Sequence, residues 1–452
     1  MKWLKRLGIV VFALILLLAV VPFFISLDDY RPQIERAVSE KLKEPVKLKS
    51  LRLAGLPLPH VVVEGIEVGK TGDLRVGTVS VTPDLLSLLT DIKVIRSIDI
   101  EGLVINQRAL DRIPVWTKTD PKAKPAGFTV QVRSVRLDDA LLQLQKSSFG
   151  PFDARVTIAA NGAPERADIT ARDGKFKATV TPAGEKFGIS VKAKDWRLPA
   201  GPPILFDELL ITGTATLNDA DFGDIKAKLY GGTVTGKSSI AWQKGLQLKG
   251  NYSVNELELR DLVPLFSPQT KITGRLAAKP VFSASAATAA QFGNALRLDT
   301  PFNIRDGVLH GIDIQKAATS LITKDSSGQT RFDTLSGNFA MDRGTQRISN
   351  MKVASGSLAA DGNVTIAPNK ELSGRINAQV NAGSIASATV PLNISGTLDS
   401  PRALPTGASM AGAAVGTVIL GPGAGTSVGA KVGNWAEGLF GGGKDDARNK
   451  KK

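Results

Sequence analysis

Alternation of apolar and polar residues is the feature that most constrains the fold of this chain. From residue 46 to residue 398, one alternating segment follows another, such as HVVVEGIEVG (residues 60–69) and KFGISVKAKDW (residues 186–196). A period of two is typical of a strand with one buried and one solvated face. Gly, Pro, Asn or Asp separates most of these segments, which predicts turns between antiparallel neighbours. The sequence therefore predicts a mostly β protein, with a long antiparallel sheet that has an apolar face and a polar face.

An uncharged apolar run precedes the alternating region. It covers residues 7–25, and about 19 such residues are enough to cross the hydrocarbon core of a bilayer. Lys2, Lys5 and Arg6 precede the run, so the positive-inside rule places everything after residue 27 across the membrane. A cleaved signal peptide is the alternative, but the run is longer than a typical h-region and no A-x-A site follows it. We expect a cytoplasmic N-terminus at 1–6 and an uncleaved anchor at 7–27.

Helix signals follow the anchor. In DDYRPQIERAVSEKLKEP (residues 28–45), Asp29 is a candidate cap, Pro32 falls in the first turn, and Ile34, Val38 and Leu42 recur at i, i+4 spacing. Two interpretations of this short amphipathic helix are open. It either covers the first strand edge of the sheet or contacts lipid headgroups.

Three further segments interrupt the strands. Residues 82–90 (TPDLLSLLT) predict a short helix with Pro83 at its first position. Residues 111–127 are rich in Pro and Lys and predict a loop, and the Ala-rich stretch 284–298 predicts a helix. The sequence thus predicts a few short helices beside the sheet.

Composition narrows the class of partner. The chain has 57 Lys and Arg against 42 Asp and Glu, a formal charge of +15, which points to a polyanion or an acidic membrane surface. Only 6% of the residues are aromatic, and the basic residues form no stripe, so stacking platforms for nucleic acid are few. We expect a membrane partner and no nucleic acid. The absence of Cys excludes disulfides and thiol chemistry and suits an oxidising compartment.

Glycines recur in the middle of the later strands, in step with the apolar positions. Because mid-strand glycine weakens a strand, its recurrence indicates a bend or a close approach at the inner face. Either the sheet curves and leaves room on its concave side, or the glycines are ordinary packing at a sandwich corner. The candidate bend glycines are Gly213, Gly250, Gly274, Gly374 and Gly396. The candidate inward, groove-lining residues are Phe187, Ile189, Val191, Ile272, Leu276, Ile376 and Val380.

Signals for catalysis are poor. His60 and His310 are far apart in the sequence and have no carboxylate or Cys cluster beside them, so neither a metal site nor a triad is indicated. GGTVTGKS (residues 231–238) satisfies the P-loop pattern, but a P-loop requires a helix to begin at its Lys. The residues from Val234 to Trp242 keep alternating as a strand, which predicts a hairpin turn at Gly231 and Gly232 instead. We expect no enzyme activity, no metal and no cofactor.

The C-terminal residues 401–452 differ in character. Small and apolar residues dominate 410–440, glycines recur at four-residue spacing, and the end is basic. Such spacing permits close helix packing in lipid, but Pro422 leaves an apolar run too short to span a bilayer. This tail either inserts into or docks on a distal membrane, or it caps the last strand edge or forms a flexible tail.

Several segments resemble one family. DDYRPQIERAV after the anchor and VSVTPDLLSLLTDIKVIRSIDIEGLVINQ (79–107) form the N-terminal part of the resemblance. More specific are three C-terminal blocks, FNIRDGVLHGIDIQKAATSL (302–321), TRFDTLSGNFAMDRG (330–344) and VPLNISGTLDSPRALP (390–405). Together these segments resemble the AsmA family of Gram-negative envelope proteins. Residues 110–300 resemble the family only in their pattern.

The resemblance implies a fold and a role. It implies an inner-membrane anchor, a periplasmic sheet folded into a long curved groove similar to the chorein-type bridges, and a role in phospholipid movement or outer-membrane integrity. Roughly two dozen strands at ~4.8 Å would give a groove on the order of 100 Å. We expect an N-terminal groove domain at 28–270, a C-terminal β region at 271–400 and the tail at 401–452.

Two functions follow from these expectations. The first is a single-pass inner-membrane protein that binds or conducts phospholipids along an apolar β-groove towards the outer membrane. The alternative is a non-enzymatic periplasmic scaffold that assists outer-membrane protein assembly and has a dry core. An open groove of this size must be filled, because large apolar surfaces are rarely left in water, whereas a closed sandwich fills itself.

Overall fold

The computed structural model describes residues 27–407, apart from 57, 110–111, 113–128, 144–147, 200, 244, 288–290, 320–326 and 381–387. The described chain is mostly β, with a few short helices, as the alternation predicts. It divides into two compact units, unit 1 from Met1 to Pro203 and unit 2 from Ile204 to Lys452. Strand pairing continues across residue 270 within unit 2, and the domain boundary expected there stays a prediction.

Unit 1 begins with a 3-10 turn, Asp28–Tyr30, and helix α1, Arg31–Leu42. A second 3-10 turn is Ser87–Leu89. Its strands are β1 Val46–Lys47, β2 Ser50–Ala54, β3 His60–Val68, β4 Leu74–Pro83, β5 Ile92–Glu101, β6 Val104–Asn106, β7 Thr129–Val132, β8 Ser134–Gln143, β9 Ser148–Ile158, β10 Pro164–Ala171, β11 Phe176–Ala183 and β12 Lys186–Arg197.

Unit 2 contains the remaining elements. Its strands are β13 Leu205–Ala215, β14 Asp219–Leu229, β15 Gly232–Ala241, β16 Leu246–Glu258, β17 Arg275–Ala278, β18 Val281–Ala286, β19 Arg297–His310, β20 Gln329–Asp342, β21 Thr345–Ala354, β22 Leu358–Ile366, β23 Leu372–Val380, β24 Ala388–Thr397 and β25 Ser400–Pro405. Its helical segments are α2 Leu259–Leu262, the 3-10 turn Val263–Leu265, α3 Phe292–Ala295 and α4 Ile314–Thr319.

The expectation that all neighbouring strands pair antiparallel is wrong at one place. Most described pairs are antiparallel, but β5 pairs in parallel with β7 and β8, and β6 pairs in parallel with β8. A parallel pair needs a crossover connection of a dozen or more residues. The chain has such a connection between β6 and β7, where residues 107–128 separate the two strands.

Helix α1 covers the first edge of the sheet in unit 1. Three backbone N–H groups of this edge donate to side chains of the helix and its preceding turn: Val46 to Ser39 Oγ at 2.9 Å, Leu48 to Glu35 Oε1 at 2.8 Å, and Leu51 to Asp28 Oδ1 at 2.9 Å. Asp29 makes no cap hydrogen bond, so its predicted capping role is wrong. Of the two interpretations, edge cover therefore has direct contacts that support it.

Two predicted helices are much shorter than expected. Thr82 and Pro83 end strand β4, and only Ser87–Leu89 forms a helical turn. In the stretch 284–298, the two ends belong to β18 and β19, α3 occupies Phe292–Ala295, and residues 288–290 lie outside the described residues. The residues on both sides of α3 form cross-strand hydrogen bonds as parts of β18 and β19, because their apolar and polar residues alternate in register with a neighbouring strand. The Pro- and Lys-rich loop at 111–127 lies almost entirely outside the described residues.

The described residues contain only short helices. None of the helices there combines the length and the hydropathy needed to cross a bilayer. The predicted anchor, residues 7–27, lies outside the described residues except for Leu27, and the C-terminal tail lies outside them after residue 407.

Candidate functional site

Two apolar rows cross the sheet of unit 1 on one face. Paired positions follow the same order of strands, β2, β3, β4, β5, β8, β9, β10, β11 and β12, and every position in both rows is apolar. The first row is Leu53, Val61, Val81, Ile98, Val135, Val156, Ala167, Val180 and Ile189. The second row is Leu51, Val63, Val79, Ile100, Leu137, Ala154, Ile169, Ala178 and Val191. We call these two rows the apolar ribbon; at ~4.8 Å per strand it is about 38 Å long.

The apolar ribbon is only partly covered. Among its members Leu51 and Ala178 are buried, and the others are half-buried. Two of the predicted groove-lining residues, Ile189 and Val191, are the β12 members of the ribbon, and Phe187 lies on the same face, paired with Pro182. Unit 1 therefore presents a continuous apolar surface of a kind that monomeric soluble proteins seldom leave in water.

The opposite face of the same strands is polar. Between β4 and β12 one row reads Ser80, Asp99, Arg136, Arg155, Asp168, Thr179 and Ser190. Arg166 Nε lies 2.6 Å from Asp168 Oδ2, and the Thr179 hydroxyl donates to Asp168 Oδ1 at 2.8 Å. The hydrogen bond from Arg166 is the main cause of the lowered pKa of the Asp168 carboxyl. This face is polar and suited to contact with water. The apolar ribbon on the other face is therefore the surface that requires an explanation.

In unit 2 the corresponding apolar row is buried, except for the half-buried Leu276. It crosses eight strands from β16 to β24. Its members are Leu257, Leu276, Ile304, Leu335, Val353, Ala360, Ala378 and Val390. Helix α4 lies against β20, β23, β24 and β25 and buries Ile314, Ala317 and Ala318. The six row members from Ile304 to Val390 and the helix belong to one hydrophobic core, and Leu276 packs against it.

An apolar cavity of about 470 Å³ lies within this core. Three predicted groove-lining residues, Ile272, Leu276 and Ile376, line the cavity, and Val380 packs against the surrounding core. The lining also includes the exposed Phe266, Lys271 and His310, so the cavity reaches the surface there. The volume falls within the usual range of ligand pockets, about 300–1,000 Å³. Its walls are mostly hydrocarbon, and Lys271 and His310 lie at its margin, an arrangement that suits an apolar chain with a polar end.

The predicted bend glycines occupy close approaches of the backbone. A Cβ at Gly213 would lie 2.2 Å from the Asp221 carbonyl oxygen, at a register shift in β13, and a Cβ at Gly374 would lie 2.3 Å from that of Asn363. Gly250 faces the Phe282 ring, whereas Gly274 and Gly396 have positive φ. Each position requires glycine for a local steric reason, and whether they curve the sheet stays a prediction.

Replacing Gly213 by Ala is expected to destabilise unit 2 by about 1–3 kcal/mol, because the added methyl overlaps backbone atoms of β14. The measurement is the urea midpoint of the purified protein. Gly223→Ala is the matched control, since a Cβ there meets nothing within 4 Å. Equal midpoints for the two variants would show that the β13–β14 approach is not tight.

The P-loop-like segment forms a hairpin. Tyr230 and Gly231 have positive φ and make the turn, and Leu229 pairs with Gly232, so the turn begins one residue before the predicted position. Lys237 is an exposed residue in the middle of β15, where it pairs with Asn251. Because no helix begins at this Lys, the segment lacks the phosphate cradle of a P-loop.

Neither histidine joins a group of metal ligands. Across the described residues, no cluster of three or more His, Asp or Glu side chains is arranged to hold a metal ion. His60 Nδ1 lies 2.7 Å from the Leu58 carbonyl oxygen, and His310 lies at the margin of the unit 2 cavity.

A comparison with protein families tests the resemblance to the AsmA family. Residues 213–351 match the AsmA family. The match lies within unit 2 and includes the blocks at 302–321 and 330–344, so the suspected AsmA relationship is confirmed there. It also extends through residues 213–300, which the sequence alone related to the AsmA family only by pattern. No curated protein and no solved structure matches the chain.

Sequence reasoning missed most of the apolar ribbon. It named residues of β12 but none of the members contributed by β2 to β11. Alternation was visible in each strand, but the ribbon depends on the registers between strands, including the parallel step from β5 to β8. Short hairpin turns fix the register of the antiparallel pairs on either side of the β5–β8 pairing. They do not fix the register of the parallel β5–β8 pair itself.

Proposed function

We propose that this protein is a non-enzymatic, membrane-anchored carrier that binds phospholipid acyl chains on the apolar ribbon and in the unit 2 cavity. It is anchored in the inner membrane by residues 7–27, holds both units in the periplasm, and conducts phospholipids towards the outer membrane in support of envelope integrity. The observation that carries the proposal is the half-buried, continuous apolar ribbon. The AsmA family match and the largely β fold are compatible with it.

The hydrophobic free energy favours a state in which the apolar ribbon is covered. A surface of this kind exposes on the order of several hundred Å² of apolar area. At about 25 cal/mol per Å², covering it stabilises the protein by on the order of 10 kcal/mol. Acyl chains suit the ribbon because its Val, Ile, Leu and Ala side chains contain no polar group that a ligand would have to satisfy.

The cavity margin suits the other end of the lipid. Lys271 and His310 are exposed residues of the cavity lining, and the Lys271 carbonyl accepts the His310 backbone N–H at 3.0 Å. An ammonium beside the mouth of an apolar cavity can pair with a phosphate whose acyl chain lies inside. A phospholipid would thus place its acyl chain against the apolar walls and its phosphate beside the basic margin of the cavity.

The proposal is tested by photo-crosslinking in intact cells. A photoreactive amino acid at Val191 or Ile169 is expected to form covalent phospholipid adducts, detected by mass spectrometry of the purified protein. Ser190 is the matched control, because it lies beside Val191 on the polar face. Adducts of equal yield at Ser190 and Val191, or none at either ribbon position, would contradict the proposal.

A scaffold for outer-membrane protein assembly is the second candidate. The buried core of unit 2, where Ile376 is 1% exposed and Leu392 is 0% exposed, favours it, since a dry core needs no lipid. In that case the ribbon would be covered by a protein partner, and the Val191 adducts would contain peptide in place of lipid.

A further inference from the structure

Eight large apolar side chains stand exposed in unit 1 between residues 56 and 130, in addition to Tyr30, Ile34 and Val38 at the start of the unit. Their exposed fractions range from 43% to 88%, and Leu86 and Leu89 are the most exposed, at 80% and 88%. The set is Leu56, Leu58, Leu85, Leu86, Leu88, Leu89, Ile92 and Val130. Single exposed leucines are ordinary, whereas a group at one place marks a contact surface.

Strand pairing brings all eight residues to the same end of the sheet. Leu56 and Leu58 lie in the β2–β3 connection, next to the Ala54–His60 pair. Val61 pairs with Val81, so β4 ends beside that connection, and the four leucines 85–89 follow β4 directly. Ile92 begins β5 and pairs with Thr129, which places Val130 there as well. We call this group the leucine loops.

The segment that follows β4 is held in place by its polar groups. The Asp84 carboxylate accepts from the Leu86 N–H at 3.2 Å and from Arg96 at 3.1 Å. The Ser87 hydroxyl donates to the Asp84 carbonyl at 2.7 Å and accepts from the Val94 N–H at 2.8 Å. Lys93 Nζ donates to the Leu88 carbonyl at 2.6 Å. These hydrogen bonds hold the polar atoms of the segment against β5, and the leucine side chains face solvent.

The chain enters unit 1 at this same end. Asp28, the residue after the predicted anchor, accepts from the Leu51 N–H at 2.9 Å. Leu51 is three residues from Ala54, at the β2–β3 connection, so the entry point lies within about 10 Å of the leucine loops. Helix α1 then leads away from them for about 18 Å, and the chain pairs Val46 with Val68 at the far end of β3.

We propose that the leucine loops insert into the bilayer that receives residues 7–27. This inference rests on the membrane anchoring in the proposed function. Asp28 lies at the leucine loops' end of the sheet, so a bilayer that holds the preceding residues lies against the loops. The apolar ribbon begins beside them, since Val61 and Val81 are its β3 and β4 members. A lipid that leaves the leaflet at the loops therefore reaches the ribbon without crossing water.

The absence of Cys from the chain makes a direct test simple. Single variants Leu86→Cys and Leu89→Cys of the full chain receive an environment-sensitive fluorophore and are reconstituted into phosphatidylethanolamine–phosphatidylglycerol vesicles. Lipids brominated on their acyl chains are expected to quench both labels strongly. Lys70→Cys is the matched control: Lys70 is exposed at the opposite end of the β3–β4 hairpin, about 30 Å away, and its label is expected to stay unquenched.

The outcomes separate docking from anchoring. Flotation of the protein with the vesicles reports the anchor independently of the labels. Flotation with no more quenching at Leu86 and Leu89 than at Lys70 would overturn the docking of the loops and leave the anchor intact. A protein that does not float would overturn both.

A second variant removes the loops' hydrophobicity without a label. Leu86→Ser combined with Leu89→Ser is expected to keep the fold, since both side chains are exposed, and to slow several-fold the transfer of fluorescent phospholipid from vesicles to the protein. Leu217→Ser, at an 85% exposed leucine in the β13–β14 hairpin, is the control. An unchanged rate in the double variant would contradict a role of the loops in lipid entry.

Discussion

Ile376→Asp is expected to abolish the folded form of unit 2. Ile376 is 1% exposed in β23, where it pairs with Leu392 and belongs to the same core as Ala378. A carboxylate buried there without a partner costs several kcal/mol, and a domain has only about 5–15 kcal/mol of stability in total. The measurement is the yield of protease-resistant unit 2 after expression of the full chain.

Ser373→Asp is the control for this variant. It adds the same carboxylate to β23, but Ser373 is exposed on the outer face, so its yield is expected to match that of the parent. A normal yield for Ile376→Asp would be informative in a different way. It would show that water enters the 470 Å³ cavity and hydrates the charge, and that the core around Ile376 is not dry.

Val191→Asp is expected to have the opposite effect, with a normal folded yield and little bound lipid. Val191 is half-buried in β12, so water can reach the carboxylate once an acyl chain has left. The valine side chain contributes about 1.5–3 kcal/mol of apolar burial against an acyl chain, and its removal corresponds to roughly a tenfold or greater decrease in affinity. The measurement is paired: folded yield, and phospholipid extracted per mole of purified protein.

Ser190→Asp controls for the added charge, because Ser190 precedes Val191 and lies on the polar face beside Thr179. Its lipid content is expected to equal that of the parent protein. Unfolding of Val191→Asp at the same expression level would mean that the ribbon is covered by protein. Such a result would favour the scaffold function over the carrier.

The difference between these two positions was not predictable from the sequence. Val191 and Ile376 occupy equivalent inward places in alternating strands, and the alternation predicted the face of each residue. Burial depends instead on what lies over that face. Helix α4 lies over β23 and β24 in unit 2, and its contacts join residues distant in the sequence, which a period of two does not encode.

Secondary structure was predicted well where it depends on residues that are neighbours in the chain. The strand character of GGTVTGKS followed from its continued alternation. The length of the helix after β4 did not: LLSLL has helical spacing, but Asp84, Ser87 and Lys93 form hydrogen bonds to and around β5 and restrict the helix to one turn. A tertiary contact thus overrode local propensity, and it left exposed the leucines that a longer amphipathic helix would have turned inward.

The uniformity of the apolar ribbon has a kinetic consequence. A hydrocarbon chain moving along it would meet the same kind of step at every strand, about 4.8 Å apart, with no polar atom at which to pause. Its motion would be one-dimensional diffusion over a nearly flat energy surface. Such a track contains no ratchet, so a net flow of lipid would require a difference in chemical potential between its two ends.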